Sequence, residues 1–130
     1  MSQVTLINPF EVPADQEAVF LESWRHATEF LRRQRGFLSS ELHRSRDPKA
    51  RFRFTNITTW ESSEHFTSAI HQPEFVELMD RMSFSHYPAL YDLFLHWRRD
   101  DQPWRKPFPS RPRRRPFLAA REAAASAPTP

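Results

Sequence analysis

The chain of 130 residues has no cysteine and a single glycine, Gly36. Without thiols there are no disulfides, no thiolate metal sites and no cysteine nucleophile. With one glycine there is no loop able to cradle a phosphate and no dinucleotide-binding fingerprint, because both bring backbone close to a ligand where a Cβ would obstruct it. No apolar run approaches the roughly 20 residues of a membrane span, and the first ten residues lack a basic stretch followed by an apolar core. The expected location is the cytoplasm, with no membrane partner. Compact metal-ligand spacing is missing too. The six histidines are His26, His43, His65, His71, His86 and His96, and no metal is expected from them. His65 and His71 are six apart on a predicted helix, which does not place them on one face. No elbow-like sequence presents a serine nucleophile.

Aromatic residues, by contrast, are abundant at 14%, with 12 Phe and 4 Trp. Such rings fill a core or line a pocket. The sequence pI of 9.9 suggests nucleic acid, but the charge is uneven. Residues 98–130 hold nine Lys/Arg and three Asp/Glu, leaving ten basic and thirteen acidic side chains in residues 1–97. A nucleic-acid-binding domain carries its basic patch on the folded part, so no nucleic-acid partner is expected. The same segment has seven of the twelve prolines and the run Arg111-Pro-Arg-Arg-Arg-Pro116. It has too little apolar surface to order itself. The expected organisation is one domain over residues 1–97. The basic tail over 98–130 is expected to be disordered, or docked on a partner subunit through Trp104, Phe108 or Phe117.

Within the body, Val4–Phe10 reads as a first strand ended near proline. From Gln16 to Arg35, Val19, Phe20, Trp24, Ala27, Phe30 and Leu31 recur at three- and four-residue steps, predicting a long amphipathic helix. Gly36 follows it and reads as its left-handed C-cap. Phe37–Ser45 and Arg51–Trp60 read as strands joined through an Asp47-Pro48-Lys49 turn into a hairpin. Alternation places Phe52, Phe54, Asn56, Thr58 and Trp60 on one face of the third strand, with Arg51, Arg53, Thr55, Ile57 and Thr59 on the other. Arg53 then reads as structural or interfacial. Ser62 or Ser63 caps a second helix through Phe66, Ala69 and Ile70. Pro73 starts a further segment to Met82, and Pro88–Trp97 reads as the fourth strand. The order β-α-β-β-α-β predicts an α+β, ferredoxin-like fold, an antiparallel sheet with helices on one face. The bare face invites a second subunit, so a homodimer is expected.

One constellation carries chemistry. Asn56 and Trp60 share a strand face, with Phe52, Phe54 and the apolar sides of both helices around them. A buried amide must find partners, and an unpaired one costs about 1–3 kcal/mol. Such an amide can donate to a substrate oxygen and stabilise an anion in a dry site. Equally, Asn56 can bond its neighbours while Trp60 fills the core.

The run Phe52-Arg-Phe-Thr-Asn-Ile-Thr-Thr-Trp-Glu-Ser-Ser-Glu-His-Phe66 resembles the signature segment of the antibiotic biosynthesis monooxygenase family: an Asn, three residues, then Trp-Glu-Ser at a strand-to-helix junction. Asn8-Pro-Phe10, Gly36-Phe37 and His86-Tyr-Pro-Ala-Leu-Tyr91 add to the resemblance, which spans about residues 3–97. It implies a dimeric α+β barrel that oxidises aromatic polyketides, typically an anthrone to a quinone, using O₂ without metal or flavin. Asn56 and Trp60 match the residues that hold substrate near the chemistry. The family's quinone-forming enzymes place a tyrosine where this chain has Phe66, so either another group, such as Tyr87, Tyr91, His65, His71 or His86, moves the proton or the reaction itself differs. Haem-degrading relatives resemble the chain at Asn8, yet Met79 and Ala69 stand where their haem-ligating His and catalytic Trp would be.

The reading at this stage is a cofactor-independent monooxygenase, with O₂ as co-substrate and reduced flavin not excluded, acting on a small aromatic substrate. Asn56 stabilises the anion, Trp60 orients the substrate, and His65 and His86 are the candidate bases. Trp24, Phe52, Phe54, Phe66 and Tyr91 complete the substrate-binding set. The alternatives are a polyketide cyclase, a ring-cleaving oxygenase on the same pocket, and a non-enzymatic binding module whose basic tail recruits a partner.

Overall fold

The structure, a computed structural model, describes residues 2–101. The chain divides into two units, Met1–His96 and Trp97–Pro130, and the fold below is that of the first. The tail residues Trp104, Phe108 and Phe117 lie outside the described residues.

Four strands form one antiparallel sheet: β1 (Val4–Phe10), β2 (Phe37–Arg44), β3 (Phe54–Trp60) and β4 (Ala89–Tyr91). Their spatial order is β2-β3-β1-β4. Three helices complete the unit: α1 (Glu17–Leu31), α2 (Ser63–Ile70) and α3 (Pro73–Asp80). This is the ferredoxin-like α+β arrangement. Among the described residues no helix is long and apolar enough to cross a membrane.

Local chemistry explains the elements. In α1, Phe20, Ala27 and Leu31 are buried and Trp24 half-buried, a stripe at steps of four, three and four residues that faces the sheet. Asp15 and Glu17 put negative charge at the start of α1, where the helix dipole favours it. The Ser62 hydroxyl accepts the His65 N–H at 3.1 Å and caps α2. Pro73 opens α3, and it keeps Gln72 extended, which separates α2 from α3.

In β1 and β3 burial alternates without a break. Val4, Leu6, Asn8 and Phe10 on β1, and Phe54, Asn56, Thr58 and Trp60 on β3, face the helices. The apolar core on this side falls into two clusters. One gathers Phe10, Val12, Phe20, Phe54, Met82 and Phe84. The other gathers Val4, Phe30, Leu31, Trp60 and Ala69. Asn8 pairs with Asn56, and Leu6 with Thr58, across the central strands. The middle of the sheet's covered face is therefore polar, a belt between two greasy ends.

Four expectations change. The helix does not run to Arg35: α1 stops at Leu31, capped through Arg32. Gly36 therefore caps no helix. It adopts φ +89° at the start of β2, and a Cβ there would lie 2.4 Å from His65 Cβ. Only glycine fits, for both reasons. Strand β3 begins at Phe54, so Phe52 drops out of the alternation and Arg53 turns to Glu17 on the helical side, not to the opposite face. Finally, β4 is three residues long, not ten. Its pairing ends at Thr5↔Tyr91, which leaves only Val4 of β1 for residues 92–97 to pair with.

Candidate active site

Asn56 is 7% exposed and its amide points into the polar belt. Its Oδ1 accepts from the Trp24 indole N–H at 3.3 Å and from the Ser40 hydroxyl at 3.0 Å. Its Nδ2 donates to Thr58 Oγ1 at 2.9 Å. Ser40 and Thr58 lie 3.3 Å apart, closing the network. Three elements hold the amide: β2 through Ser40, β3 through Thr58 and α1 through Trp24. One N–H of Nδ2 remains for another partner. Cross-strand from Asn56, Asn8 is equally buried, and its Oδ1 has no hydrogen-bond partner. The Trp60 Nε1–H, in a ring that is fully buried, is also unpaired. Two buried polar atoms without partners, an acceptor and a donor, therefore face the covered side of one sheet.

The other residues expected at the site divide into those the fold brings near and those it does not. Phe66 stands edge-on to Trp60 with ring centroids 5.8 Å apart. Phe54 stacks on Phe20 at 4.8 Å and closes one end of the belt. Trp24 serves as a hydrogen-bond donor to Asn56 as much as an apolar wall. Phe52 packs instead against Tyr87, at 5.6 Å, beneath Arg51. Tyr91 pairs with Thr5 on the opposite face of the sheet and is half exposed. Neither reaches Asn56. Ser40 and Thr58 were not singled out from sequence. The signal was there: alternation puts Thr58 beside Asn56, and hairpin pairing puts Ser40 opposite Thr58.

The two candidate bases differ. His65 Nδ1 lies 2.7 Å from Ser62 Oγ, which already accepts the His65 backbone N–H. The Ser62 proton is thus free to go to Nδ1, leaving the ring proton on Nε2. His86 stacks on Phe10 at 5.4 Å, and its Nδ1 lies 3.0 Å from the Phe84 carbonyl. A carbonyl only accepts, so Nδ1 carries the proton and Nε2 is the basic nitrogen.

Among the described residues no three His, Asp or Glu side chains group to hold a metal. Among the described residues, one open cleft lies at Arg44, Arg46 and Arg53 and another at Glu11, Arg51 and Phe84, and neither includes Asn56. Glu17, between Arg53 and Arg44, has its carboxyl held below the usual carboxylate range, chiefly by the hydrogen bond from Arg53.

The sequence profile of the antibiotic biosynthesis monooxygenase family matches residues 3–81. A candidate monooxygenase from Shewanella loihica PV-4 is 34% identical, with TM-score 0.66, over 73% of this chain and 97% of that one. SnoaB, a cofactor-independent oxygenase from Streptomyces nogalater, is 25% identical, with TM-score 0.64, over 74% of this chain and 97% of its own. A dabb family protein from Mesorhizobium loti shares the ferredoxin-like fold at 15% identity and TM-score 0.60, covering 72% of this chain and 99% of its own. No curated protein matches significantly.

Proposed function

This chain belongs to the antibiotic biosynthesis monooxygenase family, and on that premise we propose that it is a cofactor-independent monooxygenase oxidising an anthrone- or phenol-type aromatic substrate with O₂. The observation that carries the reading is the buried belt, where Asn8, cross-strand from Asn56, holds a buried acceptor without a partner and Asn56 keeps one N–H beyond its bond to Thr58. A buried polar atom left unpaired costs about 1–3 kcal/mol, and a phenol hydroxyl would satisfy both groups, donating to Asn8 Oδ1 and accepting from the Asn56 N–H. The similarity to SnoaB supports the absence of a cofactor.

The chemistry balances without one. A base takes a proton from the activated CH₂, and the carbanion passes one electron to O₂. The carbon radical and superoxide combine, forming a C–O bond and, on protonation, a hydroperoxide. Loss of the second C–H proton and cleavage of O–O leave a quinone carbonyl and one water. One oxygen atom enters the product and the other leaves as water. Asn56 stabilises the substrate oxyanion, and Asn8 orients the neighbouring hydroxyl. His86, with Nε2 basic, suits the role of base better than His65. The Trp24–Asn56 bond, long at 3.3 Å and made by a half-buried ring, is the contact a substrate displaces on entering. The functional unit we propose is a homodimer that covers the bare sheet face.

The test is aerobic incubation of chelator-treated protein with anthrone- and naphthol-type substrates, following quinone absorbance and oxygen uptake. Turnover that falls by about 10²-fold in Asn56→Ala supports the assignment. Turnover unchanged in that variant sinks it. Tight binding seen by tryptophan quenching, with no oxygen uptake, would move the assignment to a cyclase.

A further inference from the structure

The hairpin that joins β2 to β3 concentrates positive charge. Residues 44–53 hold five basic side chains and one acidic one, while the remainder of residues 1–97 holds five basic and twelve acidic. Three of the five, Arg44, Arg46 and Arg53, line a cleft of about 600 Å³ with Ser45 and Pro48. One carboxylate answers them there. Arg53 donates from Nε to Glu17 Oε2 at 2.5 Å, and Arg44 lies 3.2 Å from Glu17 Oε1. Asp47 is turned to its own loop, where Oδ1 accepts the Lys49 N–H at 2.9 Å. The Arg46 guanidinium has no partner among the described residues. Two positive charges are thus left over, along with several fork-shaped donors of the kind that bind oxyanions bidentately.

We propose that this cleft binds an oxyanion, the phosphate or carboxylate group of a small molecule. A polyanion is disfavoured, because a nucleic acid or an anionic membrane lying on the hairpin would also meet the acidic remainder of the body. The donor set is confined to one cleft, and it is partly preorganised: Glu17 and Arg53 are each only 20% exposed as side chains. The inference does not depend on the oxidation proposed above.

The experiment is titration of the isotope-labelled full chain with inorganic phosphate and, separately, with benzoate, at constant ionic strength, following backbone amide shifts. Saturable shifts centred on residues 44–53 are expected. Arg46→Ala should weaken binding roughly tenfold. Lys49→Ala removes the same charge from the same hairpin outside the cleft, and should change affinity by less than about twofold. Glu17→Gln removes the competing carboxylate and should tighten binding several-fold, with a thermal melt confirming the fold. Tighter phosphate or tighter benzoate each supports the site and names the ligand group. Lys49→Ala weakening binding as much as Arg46→Ala, shifts that never saturate, or shifts confined to residues 98–130 would overturn it.

Discussion

Asn56 ties a stability role to the chemistry proposed for it. Replacing it with alanine removes the partner of Trp24 and leaves Ser40 and Thr58 to each other, so unfolding should become easier by about 1–2 kcal/mol. A chemical denaturation midpoint measures this directly, apart from the activity loss already argued. Gly36 is the sharper case. Alanine there must hold a positive φ and also place its Cβ 2.4 Å from His65 Cβ, which no small adjustment relieves. Gly36→Ala should cost about 2–4 kcal/mol or prevent folding. A thermal melt within a degree or two of the parent would show that β2 and α2 can separate without penalty. From sequence, the uniqueness of Gly36 pointed to a left-handed residue correctly but to the wrong element, because the contact that demands glycine comes from a histidine 29 positions later. No local pattern encodes that.

At the level of elements, β1 was legible from its β-branched and apolar residues, β3 because it alternates across a covered face, and the hairpin because its turn residues announce it. The ends were not. Residues 92–97 carry Leu93, Phe94 and Leu95, apolar enough for a strand, yet β4 stops at Tyr91, where β1 has only Val4 left to offer. Phe52 was placed at the site by extending β3 past its true start, whereas Tyr91 lies inside β4 but pairs with Thr5 and shares its opposite face. Two devices at element ends can be tested. The Ser62 cap should be worth about 1 kcal/mol, so Ser62→Ala should lower stability by that amount while Ser62→Asp largely retains it. The Glu17 carboxyl ties the start of α1 to Arg53 and Arg44, and its titration is depressed in the folded state. Its contribution is therefore present above the ordinary glutamate range, roughly pH 4, and is lost as pH falls through the lowered folded value. Melting temperature against pH should drop on the acid side in the parent, and that slope should be shallower in Glu17→Gln. Equal slopes would mean the pair is screened by solvent.

For the whole molecule, the covered and uncovered faces of the sheet differ in kind. Thr5, Ile7, Thr55, Ile57 and Thr59 are half-buried with no helix over them, and Leu93 and Phe94 are 73% and 78% exposed. Light scattering of the full chain should give twice its 15.5 kDa. Ile57→Arg, which places a charge in the middle of that face, should give the monomer mass with its circular dichroism unchanged. A dimer that survives Ile57→Arg would place the interface elsewhere.

The strand order β2-β3-β1-β4 also governs how the protein is made. The first strand synthesised lies inside the sheet, and its two partners are Trp60 through Phe54 on one side and Tyr91 through Ala89 on the other. On the ribosome, β1 must wait with both edges open while the β2–β3 hairpin, the one local pairing, forms without it. Contact order is correspondingly high for so short a domain, and folding should be slower than in a helical bundle of this length. Pro9 inside β1 lacks one of the N–H groups that a stray strand would use. A nascent chain halted after about residue 80 would then present a sheet unfinished on the β1 edge, the form in which chaperone contact or aggregation is most expected.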